Sequence, residues 1–184
     1  MKSLTDFVLA LALVGLWGAA LPARASLAVG DAAPDFTVDA ALGGKAFRFS
    51  LAEALRKGPV VLYFYPKSFT SGCTIEAHNF AEASARFEAM GASLLGMSGD
   101  DIATQKDFSV RECRDRFAVG ADEGGKVMRS YDAKMPLLPV ADRISYVISP
   151  DGKVLAAYSS MSPDHHVEFA LKAVEDWRKA HPSH

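Results

Sequence analysis

Val60-Val61-Leu62-Tyr63-Phe64-Tyr65 runs directly into Pro66-Lys67-Ser68-Phe69-Thr70-Ser71-Gly72-Cys73-Thr74-Ile75-Glu76. The first six residues are all β-branched, aliphatic or aromatic, the composition of a buried strand. Pro66 stops that strand, because it has no N–H to give to a ladder. A short polar turn then leads into a helical stretch whose first turn carries a lone cysteine. At a helix N-terminus the first backbone N–H groups lack intrahelical partners and the dipole is positive. A thiol placed there is biased toward its thiolate, which is the nucleophile. The stretch therefore predicts a strand–turn–helix unit that presents Cys73 for thiol chemistry, with the Ser71-Gly72 turn keeping the sulfur accessible.

The neighbours of Cys73 narrow that chemistry. A dithiol exchange centre of the Cys-x-x-Cys type is absent, since Glu76 occupies the second position. Thr70 lies three residues before the cysteine and Pro66 seven before it. The pattern Pro66-x-x-x-Thr70-x-x-Cys73 resembles the active-site signature of peroxiredoxins. The longer run from Tyr63 to Glu76 is similar to the bacterioferritin-comigratory, or peroxiredoxin Q, branch. The resemblance extends over residues 27–177 and includes Asp142-Arg143-Ile144-Ser145-Tyr146-Val147-Ile148-Ser149-Pro150-Asp151-Gly152, which looks like that family's arginine-bearing strand and turn.

That resemblance implies a thiolate that attacks one oxygen of a peroxide while the other departs. Such a site must hold the O–O bond in line with the sulfur and stabilise charge on the leaving oxygen. Cys73 is then the nucleophile, with Thr70 and the backbone near Gly72 and Cys73 bonding the substrate. Arg143 supplies a permanent positive charge, and Pro66 shields the pocket. The product on the enzyme is a Cys73 sulfenic acid. Other readings stand beside these: Cys73 as an inert core thiol, Thr70 as a capping hydroxyl, Arg143 as a surface charge. Glu76 is either a favourable charge in the first helical turn or, as the resemblance implies, support for the arginine.

The chain has two cysteines, Cys73 and Cys113. A sulfenic acid must be resolved by a second thiol or capped from outside, or it over-oxidises. In many members of the branch the resolving cysteine lies five residues after the first, where this chain has His78. Other members carry it on the helix after the next strand, and this arrangement implicates Cys113. Its neighbours, Val110-Arg111-Glu112-Cys113-Arg114-Asp115-Arg116-Phe117, suggest a helix end near solvent. The alternative is a buried helical face made of Val110, Cys113 and Phe117. Ser71 also departs from the family, which commonly has proline before Gly72-Cys73.

Met1-Lys2, an apolar run over residues 7–21 and Ala23-Arg24-Ala25 form the three parts of a secretory signal peptide. The expected domain organisation is a leader over residues 1–25 and one domain over residues 26–184, periplasmic or secreted. The net charge is −2, and the leader holds Lys2, Arg24 and Asp6, so the remainder carries −3. No basic run is present, which argues against nucleic acid as a partner. The five histidines lack ligand spacing for a metal, and no cofactor is implied. Cys73 and His78 together are similar to part of a copper-delivery site, but a second nearby sulfur is missing.

Alternating patterns predict strands over 35–39, 46–49, 60–65, 93–98, 118–121, 144–149 and 153–158. Helices are predicted over 50–55, 73–90, 102–114, 125–131 and 164–179, with Ser50 as a cap. Residues 135–139 read as a loop before the Arg143 strand. This is an α/β layout, that of a thioredoxin-like fold with an N-terminal β-hairpin extension. The expected function is a thiol peroxidase acting on hydrogen peroxide or small organic hydroperoxides, recycled by a thioredoxin-like donor, as a monomer or weak dimer. Two alternatives stay open: a secreted thiol–disulfide exchange protein, and a non-catalytic module stapled by a Cys73–Cys113 disulfide.

Overall fold

Strand β3 (Val60–Phe64) is the centre of the molecule, and every residue in it is buried. The computed structural model describes residues 26–182; the signal-peptide reading and His184 lie outside them. Side chains alternate across β3 as the pleat demands. Val60, Leu62 and Phe64 enter one core, while Val61, Tyr63 and the following Tyr65 enter the other.

Seven strands form one sheet: β1 (Thr37–Leu42), β2 (Lys45–Ser50), β3, β4 (Ser93–Ser98), β5 (Ala118–Ala121), β6 (Ile144–Ile148) and β7 (Val154–Ser159), in the order β2-β1-β5-β4-β3-β6-β7. β3, β4 and β5 are parallel, and the outer pairs are antiparallel. The parallel pair β3–β4 needs a crossover, which α2 (Ser71–Ala89) supplies. The hairpin of β1 and β2 turns at Gly43 and Gly44, both at positive φ. α1 (Leu51–Leu55) is capped by Ser50, whose side chain accepts from the Glu53 N–H. α1 and α4 (Lys126–Ser130) place buried residues in the first core; α2, α3 (Ile102–Arg111) and α5 (His166–Ala180) place theirs in the second. This is the mixed α/β architecture expected.

The boundaries differ from the sequence reading in two places that matter. α2 starts at Ser71, so Ser71 and Gly72 are helical rather than a preceding turn. α3 ends at Arg111, not residue 114, and Arg114 and Asp115 both adopt left-handed φ of 52° and 57°. Two successive left-handed residues cannot continue a right-handed helix. Among the described residues no helix is long and apolar enough to cross a membrane.

Candidate active site

Tyr65 leaves β3 by donating its N–H to the Met97 carbonyl of β4 at 3.0 Å. The next turn is pinned from below. The Ser68 N–H donates to Asp100 Oδ2 at 2.7 Å, and the Tyr65 hydroxyl donates to Gln105 Oε1 at 2.9 Å. Gln105 in turn donates to Ser98 Oγ at 2.8 Å, and Ser98 donates to Asp100 Oδ2 at 2.7 Å. This buried network holds Phe69 at φ 64°, a left-handed position unusual for a bulky residue. The Phe69 ring packs edge-on against Phe108 at 5.2 Å, with the Arg111 guanidinium 5.0 Å over its face. The turn is thus fixed before the helix begins.

Thr70 occupies the N-cap of α2 without a side-chain cap bond. Its hydroxyl donates back to the Lys67 carbonyl at 2.9 Å. With its proton committed, Thr70 Oγ1 faces other partners only as an acceptor. Pro66 is half-buried at the strand exit. Cys73 is the third helical residue and is 2% exposed. The sequence expectation of an open sulfur is therefore corrected: starting α2 at Ser71 turns Cys73 inward beneath its own first turn.

The charge arrives from the far end of the chain. Arg143 immediately precedes β6, and β6 pairs with β3, carrying the guanidinium to the foot of α2. Arg143 Nη2 donates to Cys73 Sγ at 3.4 Å, Nη1 to Glu76 Oε2, and Nε to the Met161 carbonyl at 3.0 Å. Gly72 permits this approach, because a Cβ there would lie 3.2 Å from Nη2. Burial works against the Arg143 charge, yet Glu76 and Cys73 beside it hold the group above its ordinary range. Burial pushes the Glu76 carboxyl up to about 8 despite the opposing pull of Arg143. Three of five guanidinium N–H donors are engaged.

His166 is a participant that sequence reasoning missed. It is fully buried at the start of α5, with Nδ1 2.8 Å from Ser145 Oγ and 3.7 Å from Glu76 Oε1. Its Nε2 donates to the Ser160 carbonyl at 3.0 Å. The only sequence signal was its place at the head of the last helix beside His165, which by contrast is exposed and pairs with Glu168.

Cys113 lies elsewhere and is 0% exposed. Arg111, Arg114, Asp115 and Arg116 do face solvent, but the thiol does not, so the expectation of a thiol near solvent is corrected. The all-buried helical face is corrected too, since Val110 is 45% exposed and α3 has already ended. Cys113 sits between the end of α3 and the left-handed Arg114-Asp115 pair, in the core cluster that also holds Phe117 and Cys73. Burial raises its thiol pKa well above the ordinary value, and Glu112 and Asp115 raise it further. Both cysteines are free thiols. His78 bonds Glu112 at 2.9 Å, and among the described residues no group of His, Cys, Asp and Glu is placed to hold a metal ion.

Comparison with known proteins shows the family and the fold. The sequence matches the AhpC/TSA family over residues 29–157. It is 34% identical to chloroplastic peroxiredoxin Q of Oryza sativa subsp. japonica over 148 residues, 79% of this chain and 66% of that protein. The chain thus spans just under two thirds of the length of the rice relative. It is 32% identical to chloroplastic peroxiredoxin Q of Gentiana triflora over 161 residues, 86% of this chain and 72% of that protein. Among solved structures, peroxidoxin BcpB from Mycobacterium tuberculosis superposes with a TM-score of 0.73 at 33% identity, covering 80% of this chain and 96% of that one. Mycobacterium tuberculosis AhpC shares the fold, with a TM-score of 0.75 at 19% identity, covering 85% of this chain and 96% of that one. The chain belongs to the AhpC/TSA family, on the peroxiredoxin Q branch.

Proposed function

We propose that the protein is a thiol peroxidase in which Cys73 is the peroxidatic nucleophile. The observation that carries this reading is the Arg143 guanidinium held 3.4 Å from Cys73 Sγ by a buried counter-ion, Glu76. In the proposed step the sulfur lone pair attacks the nearer peroxide oxygen, the O–O bond breaks, and the electron pair leaves on the distal oxygen. Arg143 meets the developing charge with its unused N–H donors, which were aligned before substrate arrived. Thr70 Oγ1 accepts a hydrogen bond from the peroxide O–H, and the Gly72 and Cys73 N–H groups add donors from the open first turn. Cys73 becomes a sulfenic acid; the leaving oxygen departs as water or an alcohol after protonation.

Cys113 is proposed as the resolving thiol. Attack of its sulfur on the sulfenic acid forms a Cys73–Cys113 disulfide and releases water. A disulfide requires α-carbons within about 7 Å, and in the proposed cycle one or both of the flanking helices partly unwind to bring the two buried thiols together. A thioredoxin-like donor then returns both thiols, and hydrogen peroxide or a small organic hydroperoxide is the substrate. The leader-like N-terminus supports a periplasmic or secreted setting, and a monomer or weak dimer is the proposed working form.

Intact mass after a brief pulse of one equivalent of hydrogen peroxide tests the scheme. Loss of two hydrogens, mapped to Cys73 and Cys113, is expected. Cys113→Ser should instead accumulate oxygen on Cys73. Oxygen on Cys73 in the unmodified chain would remove Cys113 as resolver. A dithiol mass persisting for minutes would overturn peroxidase action and favour thiol–disulfide exchange.

A further inference from the structure

Glu76 has two carboxyl oxygens and uses only one. Oε2 binds Arg143, while Oε1 is completely buried and has no hydrogen-bond partner. An unpaired buried carboxylate oxygen is costly, so its surroundings must explain it. Oε1 faces His166 Nδ1 at 3.7 Å. Because a carbonyl only accepts, the Ser160 contact fixes a proton on His166 Nε2. In the neutral ring, Nδ1 is then an acceptor for the Ser145 hydroxyl, and Glu76 Oε1 faces no donor.

Charge points the same way. A Cys73 thiolate, Arg143 and an ionised Glu76 with a neutral His166 leave this buried cluster with a net negative charge. One additional proton between Glu76 and His166 makes it neutral and supplies the missing donor to Oε1. Burial raises the carboxyl to about 8, and burial followed by the nearby Arg143 lowers the imidazole despite bonding that favours its charged form. Neither group is settled in its charged form alone.

We propose that His166 is a positioning residue of the peroxidatic site, sharing with Glu76 the proton that neutralises the cluster when Cys73 is a thiolate. The proton leaves Cys73 Sγ for solvent as the Glu76–His166 pair holds its own, so no charge is left uncompensated. The groups facing His166 are Glu76 from α2, Arg143 and Ser145 at β6, the Tyr158 ring on β7 at 4.8 Å, the Ser160 carbonyl and the Ser162 backbone. On its own helix His165 and Glu168 pair at the surface, 71% and 81% exposed.

This inference rests on Cys73 being the reactive thiol, but its test needs no peroxide. The reduced full chain is alkylated with iodoacetamide across a pH series, and Cys73 is quantified by peptide mass. His166→Asn keeps a polar group near Nδ1 but cannot carry the proton. It is expected to move the half-maximal pH of Cys73 alkylation up by about one unit, which is a tenfold slowing on the rising limb of the profile. In a Glu76→Gln background, where no carboxylate needs the proton, His166→Asn should produce no further displacement. Superimposable profiles for the unmodified chain and His166→Asn would overturn the proposal. So would an equal displacement in the Glu76→Gln background, which marks a purely structural effect. If circular dichroism shows that His166→Asn does not fold, the same comparison with His166→Gln decides it by the same criteria. A displaced profile in a chain that fails to reduce peroxide would remove the peroxidase reading alone.

Discussion

Cys73 and Cys113 share one buried core, yet their surroundings are opposite. Cys73 lies in the first turn of a 19-residue helix with an arginine 3.4 Å from its sulfur. Cys113 follows a helix that has ended, and its near charges are Glu112 and Asp115. Burial is thus common to the proposed peroxidatic thiol and the proposed resolving one. What separates them is whether positive charge and N–H donors are already in place around the sulfur. Cys73 has both without movement, whereas Cys113 must leave its present surroundings to gain them.

The largest expected effect comes from removing that charge. Arg143→Ala should lower the rate of peroxide reduction by about 100- to 1,000-fold, the loss typical of a preorganised donor to a developing anion. It should also destabilise the chain by about 1–3 kcal/mol, because the buried Glu76 carboxyl loses its hydrogen-bond donor. Adding Glu76→Gln should recover much of the stability and none of the rate, as read by urea unfolding beside stopped-flow peroxide assays. Recovery of rate in the double variant would mean that Arg143 acts only as scaffold.

Thr70→Val tests the substrate contact and should be milder. Losing one acceptor to the peroxide is worth about 1–2 kcal/mol, or roughly 5- to 30-fold in rate. Thr70→Ser, which keeps the hydroxyl and its bond to Lys67, should restore most of it. Equal losses for both variants would place the role of Thr70 in the shape of the cap.

At Cys113 the corresponding probe is alkaline pH. Its native thiol titrates well above the ordinary 9.0, so the folded form holds its proton when the unfolded form has lost it. The contribution to stability is therefore complete below pH 9 and declines above it, by about 1.4 kcal/mol per pH unit. Urea unfolding of the reduced chain at pH 8 and 10 should show a steeper decline than in Cys113→Ala. Parallel declines would mean that Cys113 is already deprotonated or exposed in the native chain.

How much of this was legible in the sequence depends on range. Pro66, Thr70, Gly72 and Cys73 lie on one strand–turn–helix unit, so local pattern alone places them together. Arg143 is distant, and only the resemblance to peroxiredoxins pointed to it; the pairing of β6 with β3 is what brings it close. Glu76 was visible as one helical turn beyond Cys73. His166 was not, because its contact with Glu76 depends on how α5 crosses β6, for which no pattern near residue 166 speaks. The fate of Cys113 was hidden for a different reason. Arg114 and Asp115 carry no glycine signal for left-handed backbone, so the helix seemed to continue and the thiol to face outward.

The smallest expected effect concerns what holds that corner shut. His78 of α2 bonds Glu112 at 2.9 Å, with side chains 34% and 15% exposed, and Glu82 of α2 meets Arg114 at 3.4 Å nearer the solvent. Both clasps join the Cys73 helix to the residues flanking Cys113, so opening that segment must break them. Partly exposed pairs contribute about 0.2–1 kcal/mol each. His78→Ala should therefore speed iodoacetamide alkylation of Cys113 in the reduced chain by roughly 1.4- to 5-fold, and Arg114→Ala by less. Disulfide formation after a peroxide pulse should accelerate by the same factor if the opening limits it. Cys73 alkylation, which needs no opening at this corner, should hold steady and serve as the internal reference. An unchanged Cys113 rate in both variants would mean that the two thiols meet by unwinding of α2, and that the corner around Cys113 is the fixed partner in that encounter.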